Sequence, residues 1–419
     1  MSASAIGIVG GGVSALHLGL GLVTNNVDAT IYTPLTADAL AAGKMQNTVA
    51  HMPDTVQRER QLGIDFWSED SVRTCQVRHY SLLVGEGQAA DFSGGLNGDE
   101  RCIDYRLYLP KMMAEFERRG GTLIHQATTP DDVDELYARH ALLAIAAGKG
   151  DGGFADFFPK IDALSEHEIP PRILCVGLYR GVADRDPLGV TVGISPGHGE
   201  IVVLPMETRD GPYMALLFEN RADGDMADLP ALDYGKDPDA FNARILDALA
   251  KHYPTVHAHV DQARFGLISE NELLQGSFTP VTRHSWCELR DNKFAIAIGD
   301  LRCTQDPLTG QGANLASRGA CELAERIVAS DDVFDRDFCE AYEAHMRPIV
   351  AGTIGFNNAM LEPEAHTQQL LGKMIENEAI CTDFSSRFAA PETIWFDILK
   401  DAETCEHYLA GFDIKQRAG

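Results

Sequence analysis

The stretch Ala5-Ile6-Gly7-Ile8-Val9-Gly10-Gly11-Gly12-Val13-Ser14-Ala15 decides how this chain folds. A short apolar run stops at three glycines, and apolar residues then continue to Val23 at helical spacing. That pattern reads as strand, tight turn and helix. Ala29-Thr30-Ile31-Tyr32-Thr33 is β-branched and aromatic, so a second strand closes a βαβ unit of about thirty residues. In that context Gly10, Gly12 and Ala15 fit G-x-G-x-x-A. Gly10 permits the tight turn, Gly12 lets the backbone approach a pyrophosphate, and Ala15 lets the helix lie close to the strand. The helix start adds free N–H groups and a partial positive charge, which together suit a dinucleotide. A purely structural glycine turn is the plainer alternative. One residue departs from the pattern: the second strand ends on Thr33, where an acidic residue usually meets a ribose.

Outward from this unit, Tyr105 to Arg119 forms an amphipathic helix ended by Gly120-Gly121, with Thr122–His125 and Ala141–Ile145 as further strands. The second of these is apolar throughout, as a parallel strand buried on both faces should be. From Ile173 to Phe218 the texture changes to short strands separated by turn residues, which predicts a second sheet. Phe294–Ile298 returns to a buried strand, followed by a loop and a helix from Gly312 to Ala329. If that strand joins the N-terminal unit, the two regions interleave. The tail from Asp331 is helical, with Pro348 and Pro391 marking boundaries.

The chain has 419 residues, long enough for about two to three domains, with the composition of an ordinary globular protein. Lysine and arginine total 35 against 62 aspartates and glutamates, a formal charge of −27. Such a charge repels phosphate backbones and anionic lipid, so neither nucleic acid nor a membrane is an expected partner. The nine cysteines are dispersed with no C-x-x-C pair, which reads as reduced thiols. The apolar stretch from Ala5 to Val23 has no positive residue before it, the first being Lys44, and Ser14 and His17 interrupt it. A soluble, cytoplasmic protein is expected.

Near the other end, Gly299-Asp300 follows a buried strand, and Pro307-Leu308-Thr309-Gly310-Gln311-Gly312-Ala313-Asn314 opens a helix. Asp300 is placed to hydrogen-bond a ribityl hydroxyl. The N–H groups from Gly312 to Asn314 can face the N1–C2=O edge of a flavin, where a helix start stabilises negative charge. An ordinary capped helix after a loop is the alternative.

Taken together, these motifs resemble the class A flavoprotein monooxygenase fold of aromatic hydroxylases. More narrowly, the chain resembles the FAD-dependent epoxidase component of styrene monooxygenase and its indole monooxygenase relatives. That match rests on His17-Leu18-Gly19-Leu20, Asn47-Thr48-Val49-Ala50-His51, Val56-Gln57-Arg58-Glu59, Asp104-Tyr105-Arg106-Leu107-Tyr108, Ser195 to Glu200 and Asp306 to Ser317. The resemblance implies an α/β fold. Its Rossmann-like FAD-binding domain (1–50, 96–168 and 286–330) interleaves with a β-sheet substrate-binding domain (51–95 and 169–285). A C-terminal helical region (331–419) follows.

The resemblance further implies that FAD arrives reduced from a separate NADH-dependent flavin reductase and forms a C4a-hydroperoxide with O2. The distal oxygen then adds to an aryl alkene such as styrene, or to the C2–C3 bond of an indole. The cofactor performs the chemistry, and no protein nucleophile or metal is required. A homodimer is implied as well. Carried over by position, Asn47, Val49, His51 and His79 form the catalytic pocket. Gly10, Gly12, Ala15, Thr33, Arg106, Gly148, Asp300, Pro307, Gly310, Gln311, Gly312, Ala313 and Asn314 hold the cofactor. A neutral amide at Asn47 can hydrogen-bond a peroxide without taking its proton.

Plainer readings stand beside these. Asn47 could be a turn residue, His51 a satisfied core histidine, and Arg106 half of a surface ion pair. His257-x-His259 lacks the partners of a metal site and reads as a solvated pair. Two positions depart from the styrene branch: Gln76 stands where an aromatic is expected, and Glu100 where a small hydroxyl residue is expected. The alternatives in function are a single-component NAD(P)H-dependent aromatic hydroxylase, a flavin-dependent halogenase, and a non-enzymatic flavin-binding protein. The halogenase lacks support because Trp67, Trp286 and Trp395 stand far apart, with no W-x-W-x-I-P.

Overall fold

A strand that is apolar at every position belongs in the middle of a sheet covered on both faces. A computed structural model describes residues 5–67, 73–149, 152–290 and 292–418, with side chains to residue 412, and it places Ile6–Val9 in that position. The six-stranded sheet runs in the order Trp286–Arg290, Lys293–Ala297, Leu142–Ile145, Ile6–Val9, Ala29–Thr33, Thr122–His125. Ile6 pairs with Ala29 on one side and Leu142 on the other, both in parallel register. Only the outermost pair, Trp286–Arg290 with Lys293–Ala297, is antiparallel. Because Lys293–Ala297 pairs with Leu142–Ile145, residues near 300 return to the N-terminal unit, and the two regions interleave as the sequence implies.

The predicted strand, glycine turn and helix are all present, the helix spanning Val13–Thr24 and buried through Leu22. Gly10 has φ of +126°, and a Cβ there would lie 2.1 Å from the carbonyl oxygen of Ala146. The turn therefore lies against the end of the neighbouring strand with no room for a side chain.

The second sheet has nine strands, eight of them in the order Gly266–Leu267, Ile173–Arg180, Gly211–Asn220, Gly199–Thr208, Gly189–Ser195, Cys75–Gly85, Gln88–Cys102, Ala50–His51. Leu273–Gly276 also pairs with Ile173–Arg180. The long hairpin Cys75–Gly85 and Gln88–Cys102 is a feature that the sequence reading did not resolve. Its glycines and its run of polar residues from Asn97 to Arg101 break the two-residue alternation that marks a strand. It runs unbroken across residues 95 and 96.

The C-terminal region is helical and packs on this sheet. Phe356, Phe384, Phe388 and Leu399 form one buried cluster with Tyr80 and Val192. Pro391 begins a short helix, in keeping with a boundary. Pro348 instead lies inside the helix Arg336–Leu361, against the expectation of a break. The lost N–H costs about 3 kcal/mol, and burial of Met346, Ile349, Val350 and Phe356 on the same helix offsets it. Among the described residues no helix is long and apolar enough to cross a membrane.

Gly10→Ala combines a left-handed backbone with a backbone clash. It is expected to destabilise the protein by at least about 2 kcal/mol, read as a lowered midpoint in urea unfolding.

Candidate functional site

Between the two sheets lies an open cleft of about 280 Å3. Its two ends differ in chemistry. One is made of backbone and small residues: Gly12, Ser14, Gly148, Gly299 and Asp300. A Cβ added at Gly12, Gly148 or Gly312 would meet nothing within 4 Å, so these glycines leave open space where a bulky group must approach the chain. Burial raises the carboxyl pKa of Asp300, with Lys149 pulling the other way. The carboxylate accepts no hydrogen bond from any described residue. The helix Gly312–Val328 starts at the same end with no side-chain cap, so its first N–H groups remain available. An uncapped helix start, bare glycine backbone and an acceptor without a partner are features that suit the phosphates and hydroxyl groups of a dinucleotide.

The other end is apolar. Val190, Val192, Val202, Leu204 and Leu217 reach it from three adjacent strands, and Phe388 covers it from the C-terminal region. The valines and Leu204 recur at every second position because alternate side chains of a strand share one face. The segment Gln46–Ala50 and residues Pro307–Gly310 form the waist between the ends.

Of the predicted residues, the fold brings Gly12, Asn47, Val49, Gly148, Asp300, Pro307, Gly310, Gly312 and Ala313 together around this cleft. Asn47 lines the waist, and its Oδ1 is buried without a partner. Gly10 in the glycine turn, Ala15 in the helix that follows and Thr33 on the next strand do not line the cleft. The Thr33 hydroxyl is 2.4 Å from where a Cβ on Gly11 would fall.

Gln311 and Asn314 do not line the cleft but tie its walls together. Asn314 Oδ1 accepts from Met52 N at 2.9 Å and Thr55 Oγ1 at 2.7 Å, while Nδ2 donates to Ala50 O and Gly310 O, both at 2.9 Å. Gln311 Nε2 donates to Phe388 O at 3.0 Å.

Three further predicted side chains lie outside the cleft. Arg106 is neither beside it nor in a surface ion pair. Its buried guanidinium donates to Asp104 Oδ1 at 3.0 Å and Glu272 Oε1 at 2.9 Å. His79 alternates with Arg78 on its strand and so faces away from the cleft, its Nε2 being 2.8 Å from Pro187 O. His51 is a satisfied core histidine, held 2.6 Å from Glu59 Oε1 through Nδ1 and 3.0 Å from Tyr105 Oη through Nε2.

His51 nevertheless reaches the cleft indirectly, because Tyr105 lines it. The chain of contacts continues inward. Tyr108 Oη donates to Glu59 Oε1 at 2.7 Å, His17 Nε2 is 2.7 Å from Tyr108 Oη, and His17 Nδ1 is 2.9 Å from Ser317 Oγ. Since Tyr108 spends its proton on Glu59, it accepts from His17 Nε2–H, and His17 Nδ1 then accepts from Ser317. Burial would raise the Glu59 carboxyl, but His51 and the hydrogen bonds from His51 and Tyr108 bring it below the ordinary carboxylate value. Burial pushes His17 down to about 4.

Sequence reasoning assigned no site role to Tyr105, Arg78 or Phe388. Tyr105 was read as part of the helix start and of a family-like segment, Arg78 sits in the hairpin that the sequence pattern hides, and Phe388 carries no local motif.

Residues 150–259 match the family model described as "Styrene monooxygenase A putative substrate binding domain". The chain is 36% identical over 397 residues to styrene monooxygenase StyA of a Pseudomonas species, covering 93% of this chain and 94% of that protein. It is 35% identical over 397 residues to styrene monooxygenase StyA of Pseudomonas fluorescens, with the same coverage. The flavin-dependent brominase Bmp2 shares the fold at a TM-score of 0.65 and 12% identity, over 99% of this chain and 100% of that one.

The shift at His17 sets a pH dependence. Between its ordinary value of 6.5 and about 4, the unfolded chain binds a proton that the folded protein does not. Stability therefore falls as pH drops through that window, by about 2 kcal/mol from pH 7 to pH 5 through this residue. His17→Gln, which has no such titration, should lose that much less over the same range in urea unfolding.

Proposed function

Since the chain belongs to the styrene monooxygenase family, whose members are flavoprotein monooxygenases, we propose that it accepts reduced FAD from a separate NADH-dependent reductase. With O2 it would epoxidise an aryl alkene such as styrene, or an indole, held in the cleft. The observation that carries this reading is the continuity of that cleft. It runs from a glycine-lined end that fits a dinucleotide to an apolar end that fits an aromatic ring, with Asn47 at the waist. Reduced FAD, when bound, would supply the two electrons that activate O2, one of whose oxygen atoms goes to the substrate and the other to water.

The residues around it have simpler tasks. Gly12 and Gly148 give the dinucleotide room against the backbone, and Asp300 accepts from its hydroxyl groups. The uncapped start of Gly312–Val328 favours negative charge on the reduced ring, worth about 0.3–2 kcal/mol. Asn47 presents a neutral amide that orients without removing a proton, which an electrophilic oxidant must retain. The valines and leucines of the far wall exclude water and desolvate the aromatic substrate. His51 acts at one remove, as a positioning residue that holds Tyr105 against the cleft.

Purified protein with FAD, NADH, O2 and either styrene or indole is expected to yield styrene oxide or indigo only when a flavin reductase is added. Product without the reductase would overturn the two-component reading. Asn47→Leu should lower kcat by about 100-fold while FAD binding, followed by fluorescence, stays within about twofold of wild type.

A further inference from the structure

Glu100, expected from the sequence to depart from the styrene branch, has a buried partner that also reaches the cleft. Its carboxylate is completely buried and accepts a hydrogen bond from Nη2 of Arg78. Arg78 is itself only 3% exposed and lines the apolar end of the cleft. A guanidinium among valines and leucines is costly unless its charge and its donors are met. The charge is met by Glu100, and one face by the Phe388 ring, whose centroid is 3.9 Å from Cζ. The donors are not all met. Nε is buried with no partner, and Nη1 donates to no described residue.

Nothing in the proposed chemistry calls for a cation here, since the residues suited to the dinucleotide, Gly12, Gly148 and Asp300, belong to the opposite end. What remains for Arg78 to meet is the substrate. We propose that Arg78 is a specificity-determining residue that donates to an oxygen acceptor on the aromatic ring of the substrate. The preferred substrate is then an aryl alkene or indole carrying a neutral carbonyl, ether or hydroxyl oxygen, in preference to the bare hydrocarbon.

This rests on the monooxygenase reading for the reaction, though not for the binding. The acceptor is neutral because Glu100 already balances Arg78, so a carboxylate would bring an unpaired negative charge into an apolar pocket. A hydrocarbon of the same shape leaves the guanidinium donors unmet, the situation in which a polar site discriminates most strongly.

The test compares matched pairs. Calorimetry on the flavin-free protein measures 4-ethylacetophenone against 1-ethyl-4-isopropylbenzene, which has the same shape without the acceptor. Turnover with reduced FAD and O2 compares 4-acetylstyrene with 4-isopropylstyrene. The ketone is expected to bind at least about tenfold tighter and to be favoured by a similar factor in kcat/KM. Arg78→Met combined with Glu100→Leu removes both charges, so neither is left buried alone, and the preference should fall below about twofold.

Equal binding of ketone and hydrocarbon by the wild-type protein overturns the proposal, whether or not the variant folds. So does a preference that survives in the double variant, or tighter binding of 4-vinylbenzoate than of 4-acetylstyrene. Selective ketone binding that the double variant loses, without turnover of either alkene, would sink the monooxygenase reading and leave the acceptor site standing. Turnover of both alkenes at equal efficiency would do the reverse.

Discussion

The side-chain amide of Asn314 holds the site together. Its oxygen accepts twice and its nitrogen donates twice, which exhausts its hydrogen-bonding capacity. Three of the four bonds go to residues 50–55, more than 250 positions away in the chain, and the fourth closes the turn at Gly310. One buried side chain thus sets the segment carrying Asn47 and Val49 against the start of the helix at Gly312. A buried amide with every group paired specifies one arrangement, because any shift of either wall strands a donor or an acceptor.

Behind that joint, the network from Ser317 through His17, Tyr108, Glu59 and His51 to Tyr105 ties four helices to the short strand Ala50–His51. His51 gains both its partners within the core, so its contribution to the cleft is made through the position of Tyr105. The family resemblance marks the right segment, but the chemistry next to the cavity belongs to a neighbour one hydrogen bond away.

Much of the fold was legible because it follows from backbone requirements. The strand, glycine turn and helix at residues 5–24, the uniformly apolar strand before Ala146 and the return near residue 300 each carry a period or a glycine that only one geometry explains. The glycine-lined end of the cleft was legible for the same reason. A group that must touch the main chain demands Gly12 or Gly148, and glycine is visible in a sequence. The hairpin at residues 75–102 was not legible, since its glycines and charges hide the alternation that a strand normally shows. Arg106 misled because a helix start near a cofactor motif and a buried ion pair look alike until Glu272, far away in sequence, is seen to share its guanidinium.

The apolar end has no such signature, and the reason is physical. Its wall is assembled from single side chains on three strands of one sheet plus Phe388 from a helical region that no local motif links to the site. Each valine there looks like ordinary core, and Arg78 looks like an exposed strand residue until its pleat position and its bond to Glu100 are known. Glu100 carries no local motif, and its meaning depends on a partner one strand across. Recognition by backbone leaves its mark in the sequence, whereas recognition by converging side chains is spread over the fold. The glycine-lined end can therefore be read from the sequence, while the apolar end has to be read from which donors remain unpaired once the chain has folded.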